Sequence, residues 1–443
     1  MSFRGLKAVL LACGGVGALI AATADANAGG FAIREQSAYG MGSAYAGVAA
    51  GGSLSSMFWN PAAMTQVPGL QSESVLTGIM PNSTNTPGAG SALGALGGTS
   101  NTAKDALVPA GYYSWQFRPD MWLGLAVTSP FGLAVTFPDL WAGRDYGANG
   151  TSLTTYNATP SFAWRINDLI SVGLGVQIQY GDAKLNKGLP FVGAFSDFNL
   201  EGTGWGYGFT AGVTVTPTPT TTIGLGYRSA VNQKINGTMT VVGPLAAVST
   251  NGSASTTLDL PDVVSLGLKQ RVGPQWTLLG TVEWTNWSRI GTSAVAQGSG
   301  APATVAGNAV TLPFQFEDGW FFSLGAEYQW NDRLTVRAGA AFEKSPVTDQ
   351  VRIPILPDND RYWLSLGGTY KLTPKVTLDA AYSHIFVKDT SINITATSGK
   401  PWFDGTAYVG SVDSHIDIVS VAMHYRWDEP AAPAPKQGYF KAK

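Results

Sequence analysis

Beyond its first 28 residues the chain contains no cysteine, since Cys13 is the only one among 443 residues. That absence excludes disulfides and a thiol nucleophile from the mature protein. Charge is also scarce, at 13% of residues, and no basic cluster exists to neutralise a run of phosphates, so nucleic acid is excluded as a partner. Histidine is confined to His384, His415 and His424, with no Gly-x-Ser-x-Gly, His-Glu-x-x-His or phosphate-loop pattern elsewhere. Ser420 and His424 would be neighbours only on a helix. On a strand they stand about 13 Å apart at roughly 3.3 Å per residue, too far for proton transfer. An enzyme is therefore not expected, and neither is a cofactor or a metal. No segment after the amino terminus approaches the roughly 20 consecutive apolar residues of a spanning helix. No compositional break divides the middle of the chain, which favours one large unit over two or three soluble domains.

Residues 1–28 have the order of a secretory signal: Arg4 and Lys7, an apolar core from Ala8 to Ala22, then the small-residue cleavage site Ala26-Asn27-Ala28. Cys13 follows Leu10-Leu11-Ala12 and resembles a lipoprotein cleavage box, but the apolar core runs on past it. The mature chain is expected to begin near Gly29 without lipid. Removing Arg4, Lys7 and Asp25 subtracts a net +1, which takes the formal charge from −2 to −3.

What the chain does have is alternation. From Gln275 to Trp287, the residues Trp276, Leu278, Val282 and Trp284 fall on one face of a strand and Thr277, Thr281, Glu283 and Thr285 on the other. The same period-two pattern places Val172, Leu174, Val176, Ile178 and Tyr180 opposite Ser171, Gly173, Gly175, Gln177 and Gln179. It recurs with Trp320, Phe322, Leu324, Ala326, Tyr328 and Trp330. An aliphatic band capped by Trp and Tyr suits a strand with one face in lipid, because the rings sit at headgroup level. Only a closed sheet pairs all its backbone groups without water, so the pattern predicts an all-β, transmembrane β-barrel.

Counting such segments from Leu70 gives about fourteen antiparallel strands. Their connections alternate between tight turns (Arg118-Pro119-Asp120, Asn167-Asp168, Gly273-Pro274, Asn331-Asp332, Thr373-Pro374) and long stretches at 81–105, 182–201, 236–256, 288–313, 345–360 and 390–412. Short periplasmic turns and long outer loops are the bacterial outer-membrane rule. Lys269, Glu283, Glu327, Arg337, Glu343, Lys371 and Asp379 fall on the lumen face with signs mixed, as internal ion pairs require. Residues 29–68 do not alternate and are rich in small residues, which predicts a structured hatch in the lumen. The barrel is expected over 69–427, and the Pro/Ala-rich 428–443 as a periplasmic tail.

Pro130 and Gly132 interrupt the third strand. Proline donates nothing to the ladder and glycine weakens it, so Pro130-Phe131-Gly132 predicts a break in pairing. Leu189, Phe191, Val192, Phe195 and Phe198 make the third outer loop unusually apolar, as an initial capture site for a hydrophobic solute would be.

Three blocks resemble the FadL family of outer-membrane transporters for long-chain fatty acids and aromatic hydrocarbons. They are Gly30-Phe31 followed by Trp59-Asn60-Pro61-Ala62; Thr128-Ser129-Pro130-Phe131-Gly132-Leu133-Ala134; and Pro357-Asp358-Asn359-Asp360-Arg361-Tyr362-Trp363-Leu364-Ser365. The resemblance covers nearly all of the mature chain and implies a fourteen-stranded barrel with an amino-terminal hatch. It also implies a route: capture at the outer loops, transfer to an internal pocket, and lateral exit at a kink, here Pro130, Phe131 and Gly132. By the same resemblance Phe31 touches the pocket from the hatch tip, and Asn60, Pro61 and Ala62 shape the hatch. Lys187, preceded by Lys184, stands where the family holds the substrate carboxylate with arginine. Lysine keeps the charge and loses the bidentate fork.

The expected function is passive import of hydrophobic molecules, first long-chain fatty acids, across a Gram-negative outer membrane. Aromatic or alkane hydrocarbons are the alternative within the family, and a general diffusion porin is the alternative outside it. The expected partners are outer-membrane lipid and the solute, with the chain a monomer.

Overall fold

A computed structural model of the protein describes residues 30–192 and 194–428. The signal segment with Cys13, and the tail after Asp428, lie outside the described residues. So do the side chains of Phe191 and Val192.

Nineteen hydrogen-bonded segments form one sheet and join end to end as fourteen antiparallel strands. The first strand (Leu70–Pro87) pairs with the last (Tyr408–Arg426) from Gln71↔Arg426 to Pro87↔Gly410, and this closes the barrel. The third strand is split into Met121–Thr128 and Gly132–Phe137. The seventh is split into Thr221–Arg228 and Val231–Val242. The tight turns fall where Asn, Asp and Pro predict them: Asn167 Oδ1 accepts from the N–H of Leu169 (2.9 Å) and Ile170 (2.8 Å), and Asn331 does the same for Arg333 and Leu334. Each is a side chain imitating a backbone turn.

Leu174, Leu324 and Leu366 are 62%, 75% and 63% exposed on the outer face while Ser171, Gln177 and Gln179 beside them are buried inward. A belt of this kind is stable only against acyl chains. Aromatic pairs border it at the turn end, among them Trp276 with Tyr328 and Tyr425 with Trp427, each 4.7 Å between ring centroids. No helix among the described residues is long and apolar enough to cross a membrane.

The stretch 182–201, expected as a loop, is a β-hairpin. The fifth (Ile170–Val192) and sixth (Ala194–Thr218) strands stay paired up to Val192↔Ala194. Its Gly, Lys and Asn hide the alternation, but Leu189, Phe198 and Leu200 share an inner face that packs on Met239 and Val241. That burial extends the ladder outwards beyond the apolar belt.

The hatch is a chain of short helical turns, Ala38–Met41, Val48–Ala50, Leu54–Phe58 and Pro61–Gln66, almost wholly buried inside the barrel. Its backbone lies directly on lumen-facing glycines. A β carbon on Gly224 would overlap Ala49 O, one on Gly226 would overlap Trp59 O, and one on Gly339 would overlap Ser43 O. Ion pairs add to this fit. Arg34 meets Glu283 at 2.5 Å and Glu343 at 3.6 Å, and Tyr39 donates to Glu327 at 2.6 Å while accepting from Lys269 at 2.6 Å. Arg337 bridges Glu327 and Asp379. Lys269, Glu283, Glu327, Arg337 and Glu343 thus fasten the hatch, whereas Asp379 is held within the wall by Arg337, Thr369 and His424, and Lys371 is exposed at the turn end of its strand.

Candidate functional site

The third strand breaks where Pro130 predicts. The second strand (Ala106–Arg118) pairs with it only from Arg118↔Met121 to Gly111↔Val127, so Ala106–Ala110 have no strand partner on that side. On the other side Thr128 lies opposite Asn157 and Gly132 opposite Thr154. Three intervening residues thus face two, a bulge that turns the strand inwards. The freed groups are met by the hatch: Ile33 N–H donates to Pro130 O at 2.8 Å, and Gly132 N–H donates to Phe31 O at 2.9 Å. Gln36 Nε2 also donates to Ser129 O at 2.8 Å.

Above this break lies an apolar cavity of about 670 Å³, within the range of small-molecule sites. Its floor is Phe31, whose ring contacts Phe131 (6.3 Å), Trp287 (4.8 Å) and Phe314 (6.2 Å) edge-on. One wall is the outer hairpin, with Lys184, Lys187, Leu189 and Phe198. The facing wall comes from loops that alternation does not mark: Ile353, Ile355 and Leu356 from one, Trp402, Phe403 and Asp404 from another. The forewarning in sequence was two apolar clusters in otherwise polar stretches, Ile353-Pro354-Ile355-Leu356 and Trp402-Phe403.

Lys187 Nζ is 3.0 Å from Asp404 Oδ2, with both side chains about four-fifths buried. The expected carboxylate reader therefore already holds a counter-ion. Lys184 is exposed at the cavity edge. Tyr146, also on the wall, donates to Thr406 O at 2.5 Å, and burial raises its hydroxyl pKa well above the usual tyrosine range. It stays a neutral donor. Phe195 lies away from the cavity, under the guanidinium of Arg144 at 4.3 Å.

Phe31 lines the large cavity, and Asn60 and Pro61 do not. Asn60 caps the turn Pro61–Gln66 by accepting from Ala62 N–H at 3.0 Å. Its Nδ2 donates to Ala49 O at 2.8 Å and to Val213 O of the sixth strand at 3.0 Å. It thus joins two hatch turns to each other and to the wall.

A closed barrel with an apolar outer belt, a filled lumen and a large apolar cavity beneath its outer loops is a transport barrel of a Gram-negative outer membrane. The chain belongs to the family described as outer membrane protein transport protein (OMPP1/FadL/TodX), whose profile matches residues 18–427. It is 29% identical over 416 residues to the long-chain fatty acid transport protein of Salmonella typhi, covering 86% of this chain and 93% of the relative. It is 28% identical over 430 residues to the protein of the same description from Escherichia coli K12, with the same coverage. In fold it is similar to a Pseudomonas aeruginosa FadL homologue, with a TM-score of 0.81 at 23% identity over 90% of this chain and all of that one (100%). The Pseudomonas putida toluene transporter TodX superposes with a TM-score of 0.66 at 17% identity over 85% of this chain and 95% of that one.

Proposed function

We propose that the protein imports long-chain fatty acids passively across the outer membrane. The observation that carries this reading is the 670 Å³ apolar cavity with Lys184 and Lys187 on its wall, together with the relatives described as fatty acid transporters. The alkyl chain gains about 0.8 kcal/mol per CH₂ on leaving water for such a cavity, and a lysine offers the head a charge-assisted hydrogen bond. Leu189 and Phe198, buried on the inner face of the outer hairpin, receive the alkyl chain in the cavity, with Phe191 beside them in sequence. Phe31 closes the cavity below. The solute leaves sideways at Pro130, Phe131 and Gly132 and enters the lipid without recrossing water.

Asn60, Pro61 and Ala62 hold the hatch in the shape this route needs. The chain works as a monomer and is not an enzyme, with a hatch over 29–68 and a mature start near Gly29. The filled lumen weighs against a general diffusion porin. A second reading, import of aromatic or alkane hydrocarbons, is favoured by one observation: Lys187 is already neutralised by Asp404.

Mass spectrometry of ligand released from mildly purified protein, with single-channel recording in planar bilayers, tests the choice. Fatty acid and near-zero conductance are expected. Neutral hydrocarbon would favour the second reading, and large steady conductance steps would mean a porin.

A further inference from the structure

Five arginines in the barrel and its loops are buried: Arg144, Arg228, Arg337, Arg352 and Arg361. Four have a carboxylate within ion-pair distance: Arg144 has Asp197, Arg337 has Asp379, Arg352 has Asp349 and Arg361 has Asp358. Arg228 has none among the described residues. It is 8% exposed, at the end of the first half of the interrupted seventh strand. Its guanidinium donates to Phe58 O at 3.1 Å and to Gln177 Oε1 at 2.5 Å, and lies over the Phe58 ring at 4.3 Å. Two neutral acceptors serve a group with five donors and a full charge. A buried cation is normally matched by an acid or by something that arrives.

Arg228 lines a second, smaller cavity of about 70 Å³, with Ile33, Pro130, Phe131 and Trp287 among its walls. Glu283 and Glu343 also face it; both lie within ion-pair distance of Arg34 and neither within ion-pair distance of Arg228. The space admits several water-sized groups, hence a carboxylate and the first carbons of a chain. Its position is informative. Phe131 and Trp287 form its upper wall, and on their far side they pack against Phe31, the floor of the large cavity. Pro130 and Phe131 are themselves the break in the third strand. The small cavity therefore lies between the large one and the break in the wall.

We propose that Arg228 is a second anion station, which takes the carboxylate of a long-chain acid after the head has left Lys187 and before the molecule passes out at the third strand. The proposal rests on the importer reading and extends it. Acids, but not neutral hydrocarbons, are drawn below the Phe31–Phe131–Trp287 contact, because only they bring a carboxylate that can bond the Arg228 guanidinium directly.

The test has two parts. Wild-type protein is photolabelled with palmitate carrying a diazirine next to its carboxylate, and labelled peptides are mapped. Label on the segments holding Phe58 or Phe131 is expected. Label confined to large-cavity residues such as Leu189 and Phe403 would overturn the station. In the second part, uptake of palmitate and of hexadecanol is compared for wild type, Arg228→Gln and Arg228→Lys, with folding checked by heat-modifiable gel mobility. The ratio of palmitate to hexadecanol uptake should fall roughly tenfold or more in Arg228→Gln, in line with loss of charged hydrogen bonds, and recover in Arg228→Lys. An unchanged ratio in a folded Arg228→Gln would assign Arg228 to holding the hatch alone. Failure of wild-type protein to take up either compound would instead refute the importer reading.

Discussion

The carbonyl of Pro130 accepts a hydrogen bond from the Ile33 N–H at 2.8 Å, so a hatch residue occupies the pairing position that the second strand leaves empty. The break in the wall is thus stabilised from inside, and hatch and opening form one mechanical unit. Removing residues 130–132 should let the third strand run straight, restore its pairing with Ala106–Ala110, and close the wall. Uptake of labelled fatty acid should be lost while heat-modifiable gel mobility shows a folded barrel. Transport at the wild-type rate by a folded deletion variant would mean that the solute leaves elsewhere, past the hatch.

Asn60 offers a second handle on that unit. Its side chain serves three backbone groups, the N–H of Ala62 and the carbonyls of Ala49 and Val213. Leaving a buried group unsatisfied costs about 1–3 kcal/mol, so Asn60→Ala should loosen the turns at 48–50 and 61–66 without unfolding the barrel. Pro61→Ala should act more weakly, since Pro61 contributes a preset φ at the first position of its turn. Faster hydrogen exchange confined to the hatch, with reduced uptake and unchanged outer-membrane abundance, is the expected result.

The barrel was legible because a lipid face and a lumen face alternate residue by residue, as in Val172 to Tyr180. The hatch was legible only as a lack of alternation, and the glycines that seat it, Gly224, Gly226 and Gly339, read as weak strand positions until the backbone packed on them is seen. The break at Pro130 could be placed from covalent chemistry alone, because proline has no N–H to donate. Its partner, Ile33, could not, since nothing local links residues about a hundred positions apart. For the same reason the cavity was half legible. Lys187, Leu189 and Phe198 share one hairpin, but Asp404 and Ile353 reach the site through closure of the barrel, which no local pattern encodes. Arg228 carried no signal at all: that no carboxylate comes within ion-pair distance of it is a fact of three dimensions.

Lys187 and Asp404 make opposite predictions for acids. Lys187→Ala removes the cation and exposes the carboxylate of Asp404 to the incoming head, so fatty acid binding should weaken roughly tenfold, the lower end of what a charged hydrogen bond gives. Asp404→Asn removes the competing acceptor and should strengthen it by a few-fold, about 0.5–1 kcal/mol. Toluene or hexadecane affinity should change little in either variant. If Asp404→Asn leaves acid affinity unaltered in a fluorescence displacement assay, Lys187 does not read the head.

The amino terminus is open to a direct check. Intact mass of protein from outer membranes should correspond to a chain that starts at Gly29 and bears no acyl group. An acylated Cys13 would move the start of the mature chain and tether its end to the membrane, so the hatch could not enter the lumen as described.

Gly226 allows the filled lumen itself to be tested. A β carbon there would overlap Trp59 O and approach Asn60 Cα, both backbone atoms of the hatch, which cannot swing aside as a flexible side chain would. Gly226→Val therefore forces the hatch off the wall, while valine suits the strand it sits in. At Gly78 the nearest atom to an added β carbon is 3.9 Å away, so Gly78→Ala is a matched control that should behave as wild type. In planar bilayers the Gly226→Val barrel should show conductance steps absent from wild type and from the control, because a displaced hatch uncovers a polar lumen. It should also lose fatty acid uptake, since Phe31 and Ile33 no longer meet the broken strand. Conductance near zero in a folded Gly226→Val protein would mean that the hatch shifts as a body and still seals the barrel, and that the glycine seat sets its position without being needed for closure.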